Sequence, residues 1–400
     1  MKRWPTKPLG DAYWFQEGPG VRKWQFRGSG VKLLNVANIT SEGNLDLSST
    51  ERYLAHEEVQ EKYSHFLIDA GDMVIASSGI SFDKDGLLRT RGAFVETQHL
   101  PLCLNTSTIR FKPKEGVSSL GWLRHWLDSV EFRGQITRLV TGSAQQNFGP
   151  SHLRATTITL PPLAEQERIV KLLDEADGLR KLRAQADRRT ADLIPALFQE
   201  MFGDPVTNPE GWKVKMLPEI GKLDRGRSRN RPRGDPSLYG GKYPFIQTGD
   251  VASANGEITT YTQTYSEKGF AQSRMWPAGT LVVTIAANIG KTAILTFPAC
   301  FPDSMVGFIP SDGVAADYVR ACLVTMENHL EEAAPQMAQK NINLKFLSEL
   351  AIPFPPLPLQ KKFAQRVTEI RQIESAQTTS RARLDALFQS MLHRAFNGEL

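Results

Sequence analysis

A run of arginines between Lys222 and Arg233, with the sequence KLDRGRSRNRPR, is the first feature that indicates chemistry. It carries six basic residues and a single acid, Asp224. Glycine, serine and proline within the run disfavour a helix. Arginines on an irregular loop suit phosphate oxygens or the O6/N7 edge of guanine. A solvated charged loop stays an alternative, but nucleic-acid binding is the favoured interpretation, with these candidates: Arg225, Arg227, Arg229, Arg231 and Arg233.

A second basic loop lies at the corresponding place in the first half of the chain. Residues 18–30 are glycine-rich and basic, and aromatic residues are interleaved with the cations. The candidates here are Arg22, Lys23 and Arg27. Two basic loops in similar positions strengthen the case for an anionic polymer as the ligand. In both loops we expect most of the cations to contact phosphates rather than bases.

Further candidates are polar residues outside these loops. Arg89 and Arg91 have no counterpart in the second half and are therefore predicted to read bases specific to one half. Amide side chains that suit adenine recur 194 residues apart, and this recurrence favours phosphate contacts or structural turns. The recurring residues are Gln145, Gln146 and Asn147, followed by Gln339, Lys340 and Asn341. Lys291 is the last of the DNA-binding candidates.

Three segments resemble parts of enzyme active sites, but each is incomplete. Phe26–Gly30 fits FxGxG, yet the chain has no Asn-Pro-Pro-aromatic tetrad of an amino-methyltransferase. Ile285–Thr292 ends like a phosphate-binding loop, but Ile285 replaces its first glycine. Pro302-Asp303 lacks the Glu-x-Lys of a nuclease, and the seven histidines form no HExxH spacing. We therefore predict a protein without a catalytic site, a cofactor or a metal.

These candidates belong to two halves that repeat one another. Ile158–Gln166 (ITLPPLAEQ) returns as Ile352–Gln360 (IPFPPLPLQ), 194 residues later. The runs that follow end alike, at Ala196–Met201 and Ala386–Met391, 190 residues apart. This period is far too long for a solenoid. It predicts two domains of one kind, fused in one chain.

Bulk properties fit this organisation. The chain has 400 residues, more than one hydrophobic core usually serves, and its net charge of +5 is mild for that length. Three cysteines without CxxC spacing predict neither disulfides nor a zinc site. We expect a cytoplasmic protein, because the N-terminal residues lack the apolar core of a signal peptide and no apolar run is long enough to span a membrane.

Each Pro-Pro pair is followed by a long amphipathic helix. Glu165–Phe202 would be roughly 57 Å long if wholly helical at ~1.5 Å per residue. Pro195 is expected to kink or interrupt this helix near Ala191. Two such helices are predicted to pack as a coiled coil that separates the globular halves. The alternative is that each helix belongs to the core of its own domain. The predicted apolar seam contains Ile169, Leu172, Ala176, Leu179, Ala186, Leu193 and Leu197, then Phe363, Val367, Ile370, Leu384, Leu387 and Met391.

Within each globular half the patterns predict mixed α and β structure. Short β-rich runs at 72–76, 108–111, 281–285 and 293–296 are separated by turn residues. Helices are predicted at Gly121–Phe132 and Ala316–Leu330.

With its paired L/F-P-P-L turns, the Leu197–Asp204 exit of the first helix and the Ala395–Leu400 terminus, the whole chain resembles the specificity subunits of type I restriction-modification systems. The resemblance implies an α+β fold. Two similar mixed α/β target recognition domains would lie in a pseudo-two-fold arrangement, separated by two long helices packed as an antiparallel coiled coil. The implied divisions are a first domain at 1–163, a first helix at 164–203, a second domain at 204–357 and a second helix at 358–400.

The resemblance also implies partners and a function. Such a subunit binds double-stranded DNA, two copies of a DNA adenine methyltransferase subunit, and a restriction/translocase subunit. Each domain would read one half of a split, asymmetric site, and the helices would set the gap. Two alternatives stay open: the targeting subunit of a related modification or restriction enzyme, and a coiled-coil adaptor that binds only protein.

Overall fold

The structure is a computed structural model that describes residues 4–83, 85–140, 147–229, 234–286, 288–326 and 343–400. The chain divides into two compact units. Unit 1 comprises residues 1–184 and 380–400, and unit 2 comprises residues 185–379. Each unit therefore contains one globular half of the chain together with segments of both long helices.

Unit 1 is built from short strands and helices before the first long helix. Its strands are β1 (Thr6–Pro8), β2 (Tyr13–Glu17), β3 (Val31–Leu33), β4 (Tyr53–Leu54), β5 (Met73–Ala76), β6 (Ser81–Phe82), β7 (Leu88–Arg89), β8 (Gly92–Phe94), β9 (Leu102–Cys103), β10 (Thr108–Pro113) and β11 (Thr157–Thr159). Its helices are α1 (Leu9–Ala12), α2 (His56–Glu58), α3 (Leu120–Asp128), α4 (Val130–Leu139), α5 (Pro150–Arg154) and the first part of α6 (Leu163–Ala191).

A four-stranded antiparallel sheet in the order β2-β10-β5-β8 forms the centre of unit 1. Its largest hydrophobic cluster includes the buried side chains of Phe111, Trp122 and Trp126 and extends to Phe388 and Phe396. A separate pair, β1 with β11, joins the two ends of the domain just before α6 begins. The residues that lead into the long helix are thereby fixed to the start of the domain.

Unit 2 repeats this plan with its own set of elements. Its strands are β12 (Val214–Met216), β13 (Gly221–Arg225), β14 (Tyr239–Phe245), β15 (Glu257–Ile258), β16 (Gln263–Tyr265), β17 (Leu281–Thr284), β18 (Thr292–Leu295), β19 (Met305–Pro310) and β20 (Ala351–Pro353). Its helices are α7 (Leu193–Phe202), α8 (Leu217–Ile220), α9 (Thr248–Ser253), α10 (Glu267–Ala271), α11 (Ala316–Thr325), α12 (Leu344–Glu349) and the first part of α13 (Leu357–Phe396).

The two units share a topology. Unit 2 has a central sheet in the order β13-β19-β17-β18-β15, and its first three strands correspond to β2, β10 and β5. The pair β12 with β20 corresponds to β1 with β11. The fully buried Trp122 and Tyr318 lie at matching positions of α3 and α11. The predicted fold class, with two similar mixed α/β domains and two long helices, is confirmed.

The long helices differ in continuity. α6 ends at Ala191, and α7 begins at Leu193 with Pro195 in its first turn. The interruption predicted near Ala191 is confirmed, because a proline lacks the N–H that an uninterrupted helix would need there. α13 has Asp385 at the corresponding place and runs without a break from Leu357 to Phe396.

Both units contain contacts between segments of the two long helices. In unit 1, Arg180 Nε donates to Asp385 Oδ1 at 2.7 Å. In unit 2, Gln377 Nε2 donates to Thr190 Oγ1 at 2.8 Å, and the Phe198 and Phe363 ring centroids are 5.8 Å apart. As the chain advances from Thr190 to Phe198, its partners recede from Gln377 to Phe363. The helix segments in unit 2 are therefore antiparallel.

The buried seam differs in part from the predicted one. Ile169, Leu173 and Ala176 are buried in unit 1, as are Phe363 and Val367 in unit 2. Leu172 and Leu179 were predicted in the seam but are 37% and 54% exposed, and Leu193 and Leu387 are 44% and 51% exposed. Adjacent leucines at 172 and 173 both fit a helical period approximately, and the second of them belongs to the main hydrophobic cluster of unit 1.

The four predicted β-rich runs are strands β5, β10, β17 and β18. The single helix predicted at Gly121–Phe132 is wrong, because Ser129 ends α3 and caps α4, accepting from Phe132 N–H at 3.2 Å. Such hydroxyl caps satisfy backbone donors that a new helix start leaves open. α11 begins at Ala316 as predicted, and residues 327–330 of that prediction lie outside the described residues. Among the described helices, none combines the length and the apolar character needed to cross a membrane.

Candidate nucleic-acid interface

The first basic loop has a defined shape because a buried glutamine anchors it. Lys23–Gln25 form a short 3₁₀ turn. Gln25 is buried, and its Oε1 accepts from Arg22 N–H at 2.8 Å. Its Nε2 donates to Glu58 Oε1 at 2.7 Å and to the Tyr63 hydroxyl at 2.9 Å. The turn is therefore held against the domain on its inner side.

The outer side of this loop presents cations around an aromatic ring. Trp24 is 73% exposed, the highest value among the exposed large hydrophobic residues of the described chain. Arg22, Lys23 and Arg27 are all exposed beside it. Arg27 Nη1 donates to the carbonyl oxygens of Trp24 at 2.9 Å and Phe26 at 3.1 Å, which stiffens the turn. Cations next to an exposed indole ring suit a phosphate backbone and the sugars or bases behind it.

The second basic loop follows β13 and is fixed where it passes Phe301 and Pro302. A Cβ on Gly226 would lie 2.2 Å from the Pro302 carbonyl oxygen, so only glycine fits this approach. Arg227 N–H donates to Phe301 O at 3.1 Å, and Ser273 Oγ donates to Arg227 O at 2.9 Å. The backbone is thus bonded on both sides of Arg227.

The arginine side chains of this loop face outward where they are described. Arg225, Arg227 and Arg229 are exposed, which agrees with a role in binding an anionic ligand. Arg225 also donates through Nε to Asp303 O. The two remaining candidates of this loop, Arg231 and Arg233, lie outside the described residues.

Arg89 and Arg91 lie on a different feature, a cleft of unit 1 that the long helices also line. The cleft measures about 620 Å³. Arg89 ends the β6–β7 hairpin, which is fixed to α4 by the Arg133–Asp83 ion pair and by Leu88 N–H donating to Thr137 Oγ1 at 2.9 Å. The lining of the cleft includes seven basic and four acidic residues. We call it the basic cleft, and its charged residues are Arg89, Arg91, Arg124, Arg180, Lys181, Arg183 and Arg381 with Glu42, Asp128, Asp177 and Asp385.

Part of this positive charge is balanced by one aspartate. Asp177 Oδ2 accepts from Arg124 at 2.8 Å and lies 3.1 Å from Lys181 Nζ, while Asp177 Oδ1 is 3.1 Å from Arg180. Burial alone would raise the pKa of the Asp177 carboxyl, but hydrogen bonds from Lys181 and Arg124 hold it below its ordinary value. This carboxylate joins α3 to α6.

The matching cleft in unit 2 has the opposite balance of charge. It measures about 480 Å³, and its helix wall comes from α13 at positions that correspond to those of α6 in unit 1. Three acidic residues line it, Asp250, Glu257 and Glu374, against one basic residue, Arg371. We call it the acidic cleft. Arg371 is itself paired, with Glu257 at 2.6 Å and with Asp317 at 2.8 Å.

Of the remaining candidates, some lie among the described residues and others do not. Asn147 is exposed, whereas Gln145, Gln146, Gln339, Lys340 and Asn341 lie outside the described residues. Lys291 is half-buried in the turn between β17 and β18, where its carbonyl accepts from Thr284 N–H at 3.0 Å. This turn joins two antiparallel strands. A P-loop instead leads from a strand into a helix, so the local structure around Lys291 is a hairpin.

Sequence reasoning missed the role of the glutamine that ends each Pro-Pro turn. Gln166 is fully buried, and its Oε1 accepts from Ser119 N–H at 3.0 Å. Its Nε2 donates to Val117 O at 2.9 Å and Pro161 O at 2.8 Å. Gln360 does the same in unit 2, between Ala315 N–H at 3.3 Å and Pro355 O at 2.9 Å. The repeated motif therefore positions helices, and its recurrence at the same spacing in both halves was the signal for this role.

Sequence reasoning also missed the helix-borne cations of the basic cleft, Lys181, Arg183 and Arg381. They lie on the two long helices that were predicted to pack as a coiled coil, and no sequence pattern indicated a cleft shared with Arg89 and Arg91. Over the described part of the chain, no cluster of histidine, cysteine, aspartate or glutamate is arranged to hold a metal ion.

Comparison with known proteins finds a matching family and similar sequences. Residues 1–186 and 209–384 each match the type I restriction modification DNA specificity domain. The chain is 24% identical over 300 residues to the HindI specificity subunit of Haemophilus influenzae, covering 68% of this chain and 64% of that subunit, less than two thirds of its length. It is 33% identical over 348 residues to the EcoBI specificity subunit of Escherichia coli, covering 75% of this chain and 70% of that one.

A solved structure extends the likeness to the fold. A chain from a study titled as the structural basis of complex assembly and conformational transition of the type I R-M system superposes with a TM-score of 0.62. The match covers 100% of this chain and 99% of that chain at 20% identity. Because the family domain matches twice and spans most of the sequence, this chain belongs to the family of type I restriction-modification DNA specificity proteins.

Proposed function

We propose that this chain is a DNA specificity subunit, which binds double-stranded DNA and reads one half of a split site with each domain. The observation that supports this most directly is the duplication: the family domain occurs twice, and each copy carries an exposed basic loop at the same place after its second strand. Two reading bodies on one chain suit two patches of a duplex about one helical turn apart.

The target is proposed to be asymmetric. The first basic loop presents Trp24 among cations, whereas the second is rich in arginine. The clefts of the two units also differ in charge. Two surfaces with different chemistry recognise different half-sites.

The division of the chain follows the same proposal. Residues 1–163 and 204–357 would be the recognition domains, and residues 164–203 and 358–400 the spacer helices. If the helices set the gap, one added turn of ~6 Å changes it by about two base pairs at ~3.4 Å each.

The proposed partners are two copies of a DNA adenine methyltransferase subunit and a restriction/translocase subunit. This chain would dock them and supply recognition, while the chemistry resides in the partners. It would need no cofactor of its own. The exposed leucines of the long helices, among them Leu179 and Leu387, are available for protein contacts.

Within the interface, the loop cations are assigned first to phosphates. Six cations of the two basic loops are exposed: Arg22, Lys23, Arg27, Arg225, Arg227 and Arg229. Such contacts fix register and supply affinity, and fewer contacts read bases.

The decisive experiment maps modified adenines across the source genome by long-read sequencing, with the gene intact and deleted. Loss of a split, asymmetric motif on deletion is the expected result, and it gives the target and the gap together. Complementation with the intact gene should restore the motif, which controls for effects on neighbouring genes. An unchanged pattern of modification would contradict the proposal if the partner subunits are expressed.

Binding by the purified chain provides an independent check. An electrophoretic shift with duplex DNA should weaken steeply as salt rises, because phosphate contacts release counterions. A coiled-coil adaptor that binds only protein would give no shift at any salt concentration.

A further inference from the structure

The basic cleft of unit 1 has the charge and shape of a phosphate site. Seven basic residues outnumber four acidic ones around a space of about 620 Å³. Clefts lined by one sign of charge concentrate counter-ions of the other sign. The ligand that a cleft of this kind favours is therefore an anion with several separated charges.

Two arginines that line the basic cleft have guanidinium N–H donors without an acceptor among the described residues. Arg124, Arg180 and Lys181 are engaged by Asp177, and Arg180 also by Asp385. Arg89 is exposed and Arg91 is half-buried, and neither guanidinium has an ion pair or hydrogen bond among the described residues. A guanidinium carries five N–H donors, which match phosphate oxygens in a bidentate geometry.

The shape of the cleft decides between bases and phosphates. A side chain reads a base edge by entering the major groove, which is about 8.5 Å deep and needs a protruding helix or strand. Arg89 and Arg91 instead line a concave space together with residues of α6 and α13. A concave wall can surround the convex ridge of a phosphate backbone, but it cannot enter a groove.

We infer that Arg89 and Arg91, together with the cations that α6 and α13 contribute to the basic cleft, hold the phosphate backbone of DNA and do not read bases. This rests on the proposed function and reassigns the two arginines from half-specific reading to backbone contact. The long helices thereby contribute to DNA binding in unit 1 in addition to acting as spacers.

Unit 2 lacks this contribution. Its acidic cleft has Glu374 and Ser375 at the positions of Arg180 and Lys181, and Arg371 at the position of Asp177. Three carboxylates around one engaged arginine repel a phosphate backbone. The subunit therefore holds DNA unequally, with this backbone clamp on the first half-site alone.

The test is fluorescence anisotropy of the full chain with a labelled duplex carrying the mapped motif and with a scrambled duplex of equal length. For Arg89→Ala/Arg91→Ala we expect weaker binding to both duplexes, an unchanged ratio between them, and a salt slope reduced by about 1.8, at about 0.9 per phosphate contact. The matched control is Lys361→Ala/Arg366→Ala, which removes two exposed cations of α13 outside the acidic cleft.

Each other outcome has a separate meaning. Loss confined to the motif duplex would show base reading and overturn the inference, as would an unchanged salt slope. An equal slope change in the control would assign the effect to net charge alone. If tripolyphosphate raised the melting temperature of the wild type but not of the double variant, while both bound DNA alike, the cleft would hold a free anion instead. A wild-type chain that bound neither duplex would contradict the proposed function itself.

Discussion

Asp177 on α6 and Arg371 on α13 occupy equivalent positions, 194 residues apart, and carry opposite charges. In unit 1, Asp177 accepts from Arg124 of α3 at 2.8 Å. In unit 2, Arg371 donates to Glu257 at 2.6 Å and forms an ion pair with Asp317 of α11 at 2.8 Å. The position that corresponds to Arg124 is Arg320, which is also basic. The helix residue is therefore reversed in charge while the facing position stays basic, and in unit 2 the carboxylates of Asp317 and Glu257 balance Arg371.

The first prediction concerns Asp177→Asn. The variant removes a carboxylate that three cations of unit 1 share, and hydrogen bonds to charged groups contribute about 1.5–3 kcal/mol each. We expect the free energy of unfolding of unit 1 to fall by about 2 kcal/mol at pH 7. Urea denaturation followed by hydrogen exchange in α3 measures the change.

The pH dependence of this loss follows from the pKa of Asp177. Hydrogen bonds from Lys181 and Arg124 hold that pKa below its ordinary value of 3.8 despite burial. The stabilisation is therefore complete above pH 3.8 and is lost as the pH falls through the folded-state pKa. As the pH falls below 3.8 the stability difference between wild type and variant should shrink, and a difference that stayed constant with pH would contradict this account.

Arg371→Met is predicted to destabilise unit 2. The Arg371 side chain is 11% exposed, and its removal leaves two carboxylates without their shared partner. Breaking such a pair from one side costs about 3 kcal/mol. The measurement is hydrogen exchange in α11 during urea denaturation, with Lys361→Ala on the same helix as the control. In a double-mutant cycle with Asp317→Asn the two losses should not add, and additive losses would refute the coupling.

The sequence allowed the duplication, two strands of each central sheet and the interruption at Pro195 to be predicted. These features depend on local patterns: a repeated turn, β-branched runs and a residue that lacks an N–H. The buried face of α6 could not be predicted fully, because Leu172 and Leu173 differ by one position and the tertiary packing of unit 1 determines which of them is covered.

The candidate site shows the same limit. Exposure of Arg22, Lys23 and Arg27 follows from charge and turn residues close in sequence, and it was predicted. The basic cleft brings Arg89 next to residues of α6 and to Arg381 of α13, almost three hundred positions away in the chain. Nothing in the spacing of these residues indicates that the fold brings them together. The basic cleft was therefore recognised only from the structure.

Gln166→Ala and Gln360→Ala are predicted to destabilise their own units to different extents. The first leaves Ser119 N–H and two carbonyl oxygens without partners, and the second leaves Ala315 N–H and one carbonyl. Each unpaired buried group costs about 1–3 kcal/mol. Urea denaturation with limited proteolysis of each unit should show the larger loss for Gln166→Ala. Equal exposure to protease in both variants would contradict the argument.

Trp24→Ala and Lys23→Ala should weaken DNA binding in distinguishable ways. Lys23 carries a charge, so its removal should lower the salt slope by about 0.9 if it contacts one phosphate. Trp24 carries none, so its removal should reduce affinity by about 1–2 kcal/mol through lost ring contact and leave the slope unchanged. Both side chains are exposed, and melting temperatures should stay at the wild-type value. Gln25→Ala separates positioning from contact, because Gln25 is buried and its side chain forms hydrogen bonds with the loop backbone, Glu58 and Tyr63. It should weaken binding while every cation is retained. Wild-type affinity in Gln25→Ala would show that the anchored shape of the loop is not needed, and a lower salt slope in Trp24→Ala would show that the ring acts by positioning the neighbouring cations.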